Sequence, residues 1–331
     1  MIDKDKVKNI LITRTDRLGD VILTLPLINE TKKIFRNSKI FFLVKEYTSG
    51  LIEDYRDIDY TVTEENISTF PEKYRYFKNK KIDLAINVKP EFSLAFLFFL
   101  LRIKYRIGTG YRWYSFLYNC RVYEHRKDSV KHESDYNLNL IGNFFDEGKP
   151  EKKFYFGYTE EEKIKLNDKT GGMVESKYII IHPGSGGSAK DLPVENLADF
   201  TNEFLKSYSE HKVILTGTEP EKDIACKIVN SVYEEHRNRV FDYTGMLNLR
   251  ELMILTDNSM LFISNSTGPV HIAGALGKNI IGFYPVEAPM SEARWKPLSV
   301  NTIILKPLTE NAGMGSITKV EIMKAVKKFI S

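Results

Sequence analysis

Short, almost wholly apolar runs recur along the chain, separated by stretches in which apolar residues return every three or four positions. The short runs predict strands at Val7 to Thr13, Ile40 to Val44, Leu84 to Val88 and Arg106 to Gly108 in the first half. The second half repeats the pattern at Tyr178 to His182, Val213 to Leu215, Val240 to Tyr243, Met260 to Ile263, Ile280 to Tyr284 and Thr302 to Leu305. Helical spacing predicts helices at Val21 to Phe35, Val194 to Phe204, Glu221 to Val232 and Leu249 to Leu255. Pro26 falls near the first turn of the first of these helices or kinks it. A last amphipathic helix starts near Thr318, where Thr318 and Glu321 fit a capping box. Strands alternating with helices predict parallel sheets.

Between Asp146 and Glu175 the chain turns polar and carries Gly148, Pro150, Gly171 and Gly172, which places an inter-domain boundary there. The reading is two Rossmann-like, doubly wound α/β domains facing across a cleft, residues 1–160 and 161–331. The last helix is one that could return to pack on the amino-terminal domain. The longest apolar run, Phe92 to Leu101, is about half the length of a membrane span. It reads as a buried helix. In a second reading part of it touches a membrane surface, because Arg102, Lys104 and Arg106 follow directly.

Composition narrows this little. The formal net charge is +4, which gives no case for nucleic acid. The two cysteines, Cys120 and Cys226, fit no metal-binding spacing and suggest a reducing compartment. The first nine residues alternate in charge, so no signal peptide is expected. Asp3-x-Asp5 and Asp57-x-Asp59 read as solvated surface, and no P-loop motif is present.

The chemistry lies in the loops that follow strands. Ser264 to Gly277 joins a strand to a small-residue helix, the place where open α/β sheets bind ligands and where free N–H groups suit an anion. His271 in that helix either packs or donates to a phosphate or sugar oxygen. The loop from His182 to Lys190 has three glycines and two serines, and a Lys at its end suits a pyrophosphate. After the next strand, Glu219 and Glu221 either hold ribose hydroxyls or cap a helix. Near the amino terminus Asp20 either caps the first helix or serves as a general base, and Arg14 and Arg17 flank it as candidate holders of an anionic acceptor.

Four stretches occur together and in order: Arg14 to Pro26, His182 to Lys190, Asp242 to Leu252 and Ser264 to Gly277. With Gly108, they make the chain resemble glycosyltransferase family 9, the ADP-heptose:lipopolysaccharide heptosyltransferases, over nearly its whole length. The resemblance implies a GT-B fold and an inverting, metal-independent transfer with no cofactor. It implies Asp20 as general base on the acceptor hydroxyl and Lys190, helped by Ser185, on the donor pyrophosphate. Thr267, Gly268 and His271 would line the donor, and Glu219 or Glu221 would hold its ribose. The partners implied are ADP-heptose and a lipid-linked glycan acceptor at the inner face of the cytoplasmic membrane. Ser266 departs from the pattern, because the family carries Asp there to grip sugar hydroxyls. A neutral hydroxyl offers less acceptor capacity. Two other readings stay open: a different nucleotide-sugar donor for another surface glycan, and a nucleotide-sugar-binding protein with weak catalysis.

Overall fold

The computed structural model describes residues 3–145, 150–187, 189–287 and 290–330. Ser188, in the expected pyrophosphate loop, and residues 146–149, in the expected boundary, lie outside them. Contacts divide the chain into two units, Met1–Gly157 and Tyr158–Ser331.

The first unit runs β1 (Asn9–Thr13), α1 (Leu18–Ile22), α2 (Leu25–Ile34), β2 (Lys39–Val44), α3 (Glu46–Ile52), β3 (Tyr60–Thr63), α4 (Phe70–Lys80), β4 (Leu84–Asn87), α5 (Phe92–Leu100), β5 (Tyr105–Thr109), β6 (Cys120–Val122) and α6 (Glu133–Leu138). Its six strands are all parallel, in the order β3-β2-β1-β4-β5-β6. The central strands are covered on both faces, which is why they read as unbroken apolar runs. The two strands that the apolar pattern misses, β3 and β6, are the sheet's edges, short and half-exposed. The single helix expected from Val21 to Phe35 is two helices. Pro26 has no N–H to give to the carbonyl of Ile22, so α1 ends and α2 begins with Thr24 as its N-cap residue.

The second unit runs α7 (Glu160–Lys169), β7 (Tyr178–His182), α8 (Val194–Ser207), β8 (Lys212–Leu215), α9 (Lys222–Ser231), β9 (Val240–Asp242), α10 (Leu249–Asn258), β10 (Leu261–Asn265), α11 (Gly268–Ala275), β11 (Ile280–Phe283), α12 (Glu292–Trp295), β12 (Thr302–Leu305) and α13 (Lys319–Val326). Its sheet is also wholly parallel, in the order β12-β11-β10-β7-β8-β9. The last helix belongs to this unit's own core. Ile322, Met323 and Val326 of α13 share a buried cluster with Phe200 and Phe204 of α8. Its amphipathic stripe therefore has cover within its own domain.

Each sheet reverses its strand order once, between β1 and β4 in the first unit and between β7 and β10 in the second. In such sheets ligands bind beyond the carboxyl ends of the strands at that reversal. The loops named from sequence follow β1, β7 and β10.

Candidate active site

At the end of β1 the chain turns through Thr15, Asp16 and Arg17 into α1. The N-cap position belongs to Arg17, and Asp20 sits one turn in without a capping bond. The capping role open to Asp20 from sequence is thus not the one it fills. Its carboxylate instead pairs with Nη2 of Arg14. Arg14 is buried, and its Nε bonds Oδ1 of Asp16 at 2.7 Å. Nη2 also reaches Oε1 of Glu133 at 3.3 Å, and Nη1 reaches Oδ1 of Asn137 at 3.4 Å. Glu133 is fully buried and takes a second partner in Arg126.

This cage sets the charge state of Asp20. Burial pushes its carboxyl up to about 6; Arg14 pulls it down, while Asp16 and Glu133 push it up again. Burial also works against the charge of Arg14, yet Asp20, Asp16 and Glu133 outweigh it and hold its pKa above the ordinary value. Arg14 was a candidate acceptor contact. Its guanidinium is instead taken up inside the protein, where it orients Asp20. Arg17 is exposed, with no ion pair among the described residues.

A cavity of about 350 Å³ opens beyond the carboxyl ends of β4, β5 and β6. Asn87, Tyr111, Arg112, Glu124, Arg126 and Lys127 are among its walls, so its charged lining is three cations to one carboxylate. Arg126 joins this cavity to the cage through Glu133.

In the second unit the His182–Lys190 loop is built around Glu221. Gly186 and Gly187 take positive φ angles of 54° and 75°, which glycine tolerates. That turn lets the Gly186 N–H donate to Oε1 of Glu221 at 3.1 Å. Oε2 of Glu221 accepts from the N–H and the hydroxyl of Thr218, both at 2.7 Å. A side chain at Gly184 would run into the same carboxylate. Glu221 is therefore a brace between two loops. Glu219 is exposed and pairs only with Lys222 one turn on, at 3.0 Å, among the described residues. Burial holds His182 at about 4, partly offset by Glu221, so it is neutral, and its Nδ1 is 3.0 Å from the hydroxyl of Thr216.

Asn265, the last residue of β10, fastens this loop at both ends. Its amide donates to the Pro183 carbonyl at 2.5 Å and its oxygen accepts from the Leu192 N–H at 2.9 Å. Ser185 is buried and exchanges bonds with both backbone groups of Ala189 at 3.3 Å. Lys190 is exposed and ion-paired with Glu287. Thr267 is the extended N-cap residue of α11 and Gly268 its first residue; both are half-buried, and His271 is buried one turn on. Ser266 is hydrogen-bonded to the buried Tyr284, whose hydroxyl donates to the Trp295 carbonyl at 2.9 Å. Ser185, Lys190, Ser266, Thr267, Gly268 and His271 thus lie on the two loops at one sheet reversal.

Glu133, Asn137, Arg126, Asn265 and Tyr284 were not foreseen. Asn265 lies inside the Ser264 to Gly277 stretch without having been singled out; the others are single polar residues outside any motif, and only the fold brings them to these loops.

Two tandem parallel sheets, each with one reversal of strand order, make the GT-B architecture. The chain belongs to glycosyltransferase family 9, the heptosyltransferase family, whose model matches residues 74–324. A protein of Haemophilus influenzae Rd, named in general terms as a glycosyltransferase, is 30% identical over 305 residues, covering 88% of this chain and 87% of its own. The crystal structure of a family 9 glycosyl transferase from Veillonella parvula superposes with a TM-score of 0.86 at 20% identity, over 99% of this chain and 98% of that one. The Escherichia coli ADP-heptose LPS heptosyltransferase II gives 0.82 at 17% identity, over 97% and 98%. At these identities the two structures speak for the fold.

Proposed function

We propose that this protein moves a heptose from ADP-heptose to a lipopolysaccharide or lipooligosaccharide core acceptor, with inversion and without a metal ion. The observation that carries the reading is the Asp20 carboxyl, poised near 6 by burial and by the cage around Arg14. A general base works best with a pKa near the operating pH. Asp20 takes the proton of the acceptor hydroxyl as that oxygen bonds C1 of the sugar and the bond from C1 to the ADP oxygen breaks. The charge left on the diphosphate is met by Lys190 and by the N-terminus of α11 at Thr267 and Gly268, aided by Ser185. Glu219 is the acid left to hold the ribose, since both oxygens of Glu221 are engaged. His271 lines the donor side. Among the described residues no group of three His, Cys, Asp or Glu side chains is arranged to hold a metal.

The cavity beside the cage, with Arg112, Arg126 and Lys127 in its walls, suits an anionic core sugar, and the exposed Arg17 is a further candidate contact for it. The acceptor is lipid-linked and met at the inner face of the cytoplasmic membrane. A second reading, a different nucleotide-sugar donor, is favoured by Ser266, whose neutral bond with Tyr284 stands where the family carries a carboxylate.

Asp20→Asn tests the main reading. Turnover should fall by roughly 10²–10⁴ while ADP affinity and the unfolding temperature stay near wild type. Turnover within a few-fold of wild type would remove Asp20 as the base.

A further inference from the structure

We propose that the outward face of α5, with Trp113 and Phe116 beside it, docks this protein on an anionic lipid bilayer. Apart from Ser93 the helix is wholly apolar. Such a helix is normally buried or in lipid. Here Leu94, Ala95, Leu97 and Phe98 are buried, while Phe92, Phe96, Phe99 and Leu100 form an exposed stripe at spacings of four, three and one. Trp113, 74% exposed, stacks on Phe92 with ring centres 4.9 Å apart, and Phe70 stacks on Phe96 at 5.8 Å. Phe116 is 64% exposed. A shallow groove lined by Phe70, Tyr74 and Leu100 continues this surface. Isolated exposed apolar residues are ordinary, but a contiguous aromatic patch marks an interaction surface.

Charge complementarity identifies what covers it. Residues 70–117 hold ten basic side chains against three acidic ones, a surplus of seven in a chain whose whole surplus is four. Arg75 and Lys78 line the groove itself, and the Arg106 guanidinium lies 5.8 Å from the Phe99 ring centre. Arg102 and Lys104 follow the helix and Arg112 precedes Trp113, all exposed. Aromatic rings with a rim of cations match the interface of a bilayer carrying negative headgroups. No helix among the described residues is long and apolar enough to cross a membrane, so the contact is with one face of it.

The same surface is continuous with the cationic cavity. Val88 and Pro90 line the cavity, and Phe92 begins the stripe two residues later. Tyr111 and Arg112 line the cavity, and Trp113 follows at once. Two separate connections thus present the cavity mouth and the aromatic patch together, which would bring the sugar of a membrane-anchored lipid to the cavity. This deepens the reading of a lipid-linked acceptor and rests on it only for that delivery. Vesicle binding needs no turnover, so the two fail separately.

The test is co-sedimentation of the full chain with phosphatidylcholine vesicles and with the same vesicles carrying about a third phosphatidylglycerol. Partitioning should be at least tenfold higher on the anionic vesicles and should drop at high salt, with about fivefold per basic residue at the surface. Phe96→Ser, Phe99→Ser and Trp113→Ser together should reduce it more than tenfold, and Lys78→Glu with Lys104→Glu should do the same. Both lysines are exposed, so this pair decides the matter if the aromatic variant misfolds. Equal partitioning of the wild type on both vesicles would overturn the proposal. So would unchanged binding by the lysine variant, or a dimer in solution that the aromatic variant abolishes.

Discussion

Glu133→Gln should make the enzyme work at lower pH. Asp20 and Glu133 both bond Nη2 of Arg14, so removing the charge of Glu133 relieves a repulsion that pushes the Asp20 carboxyl up. It also leaves Arg14 and Arg126 fewer anions to satisfy, and both effects favour ionised Asp20. Two carboxylates sharing one nitrogen lie roughly 5 Å apart, which at an effective dielectric of ~20 is about 3 kcal/mol of repulsion. Converted directly, that is roughly two pH units. Glutamine keeps the shape and one acceptor oxygen, and solvent at the edge of the cage weakens the term, so a displacement of at least about one unit is the expectation. The assay is kcat/KM for ADP release from pH 4.5 to 8 at constant ionic strength, which reports groups of the free enzyme. With a midpoint near 6, wild type keeps about a tenth of its plateau rate at pH 5, and the variant should keep about half. The acid limb should vanish from whatever rate Asp20→Asn retains. A midpoint that stays put or rises in a folded Glu133→Gln protein would refute the coupling, and with it the account of how Asp20 is tuned.

Four further variants test the second unit. Lys190→Ala should weaken ADP binding about tenfold or more and leave adenosine unaffected, whereas Glu287→Gln, by releasing Lys190 from its ion pair, should tighten ADP a few-fold by calorimetry. Ser266→Asp should raise kcat/KM about five- to thirty-fold if the donor is ADP-heptose and lower it if the native sugar is another, so the sign of the change separates the two readings. His182 is held neutral with its pKa well below an exposed histidine's, so the unfolded chain binds the extra proton first. Its contribution to stability is whole above about pH 6.5 and lost as pH falls toward 4, and the unfolding temperature of His182→Gln should therefore fall less steeply over that range.

The parts legible in the sequence were those made of local pattern. The doubly buried strands could be read because both their faces are apolar; β3, with Thr61 and Thr63, and β6, with Arg121 at its centre, could not, because an edge strand need not be. The loops after β1, β7 and β10 announced themselves through glycine and proline. What those residues do there was less legible. Lys190 and Glu287 pair across 97 positions, and Glu221 reaches Gly186 across 35. Glu221 was open as a ribose ligand or a helix cap, and its carboxylate forms a capping box with Thr218 while also taking the Gly186 N–H. Pro26 could be placed beforehand either in a first turn or at a kink; it stands in the first turn of α2, where the expected single helix breaks in two.

That break has a kinetic consequence. The buried backbone where α1 stops is closed by Asn137, whose amide donates to the Leu23 carbonyl at 3.0 Å and to the Thr24 hydroxyl at 3.2 Å, while its oxygen takes a bond from Arg14. These contacts span 113 to 123 positions, and the Arg14 to Glu133 bond spans 119. Loop closure on that scale comes late, after the strands between have found their neighbours. Until α6 docks, Arg14 and Asp20 lack Glu133 and Asn137. The tuned acidity of Asp20 is acquired only in the closing stage of the first unit's folding, so a nascent or nicked chain lacking residues 133–137 would carry the sheet's central strands without the carboxylate's reactive state.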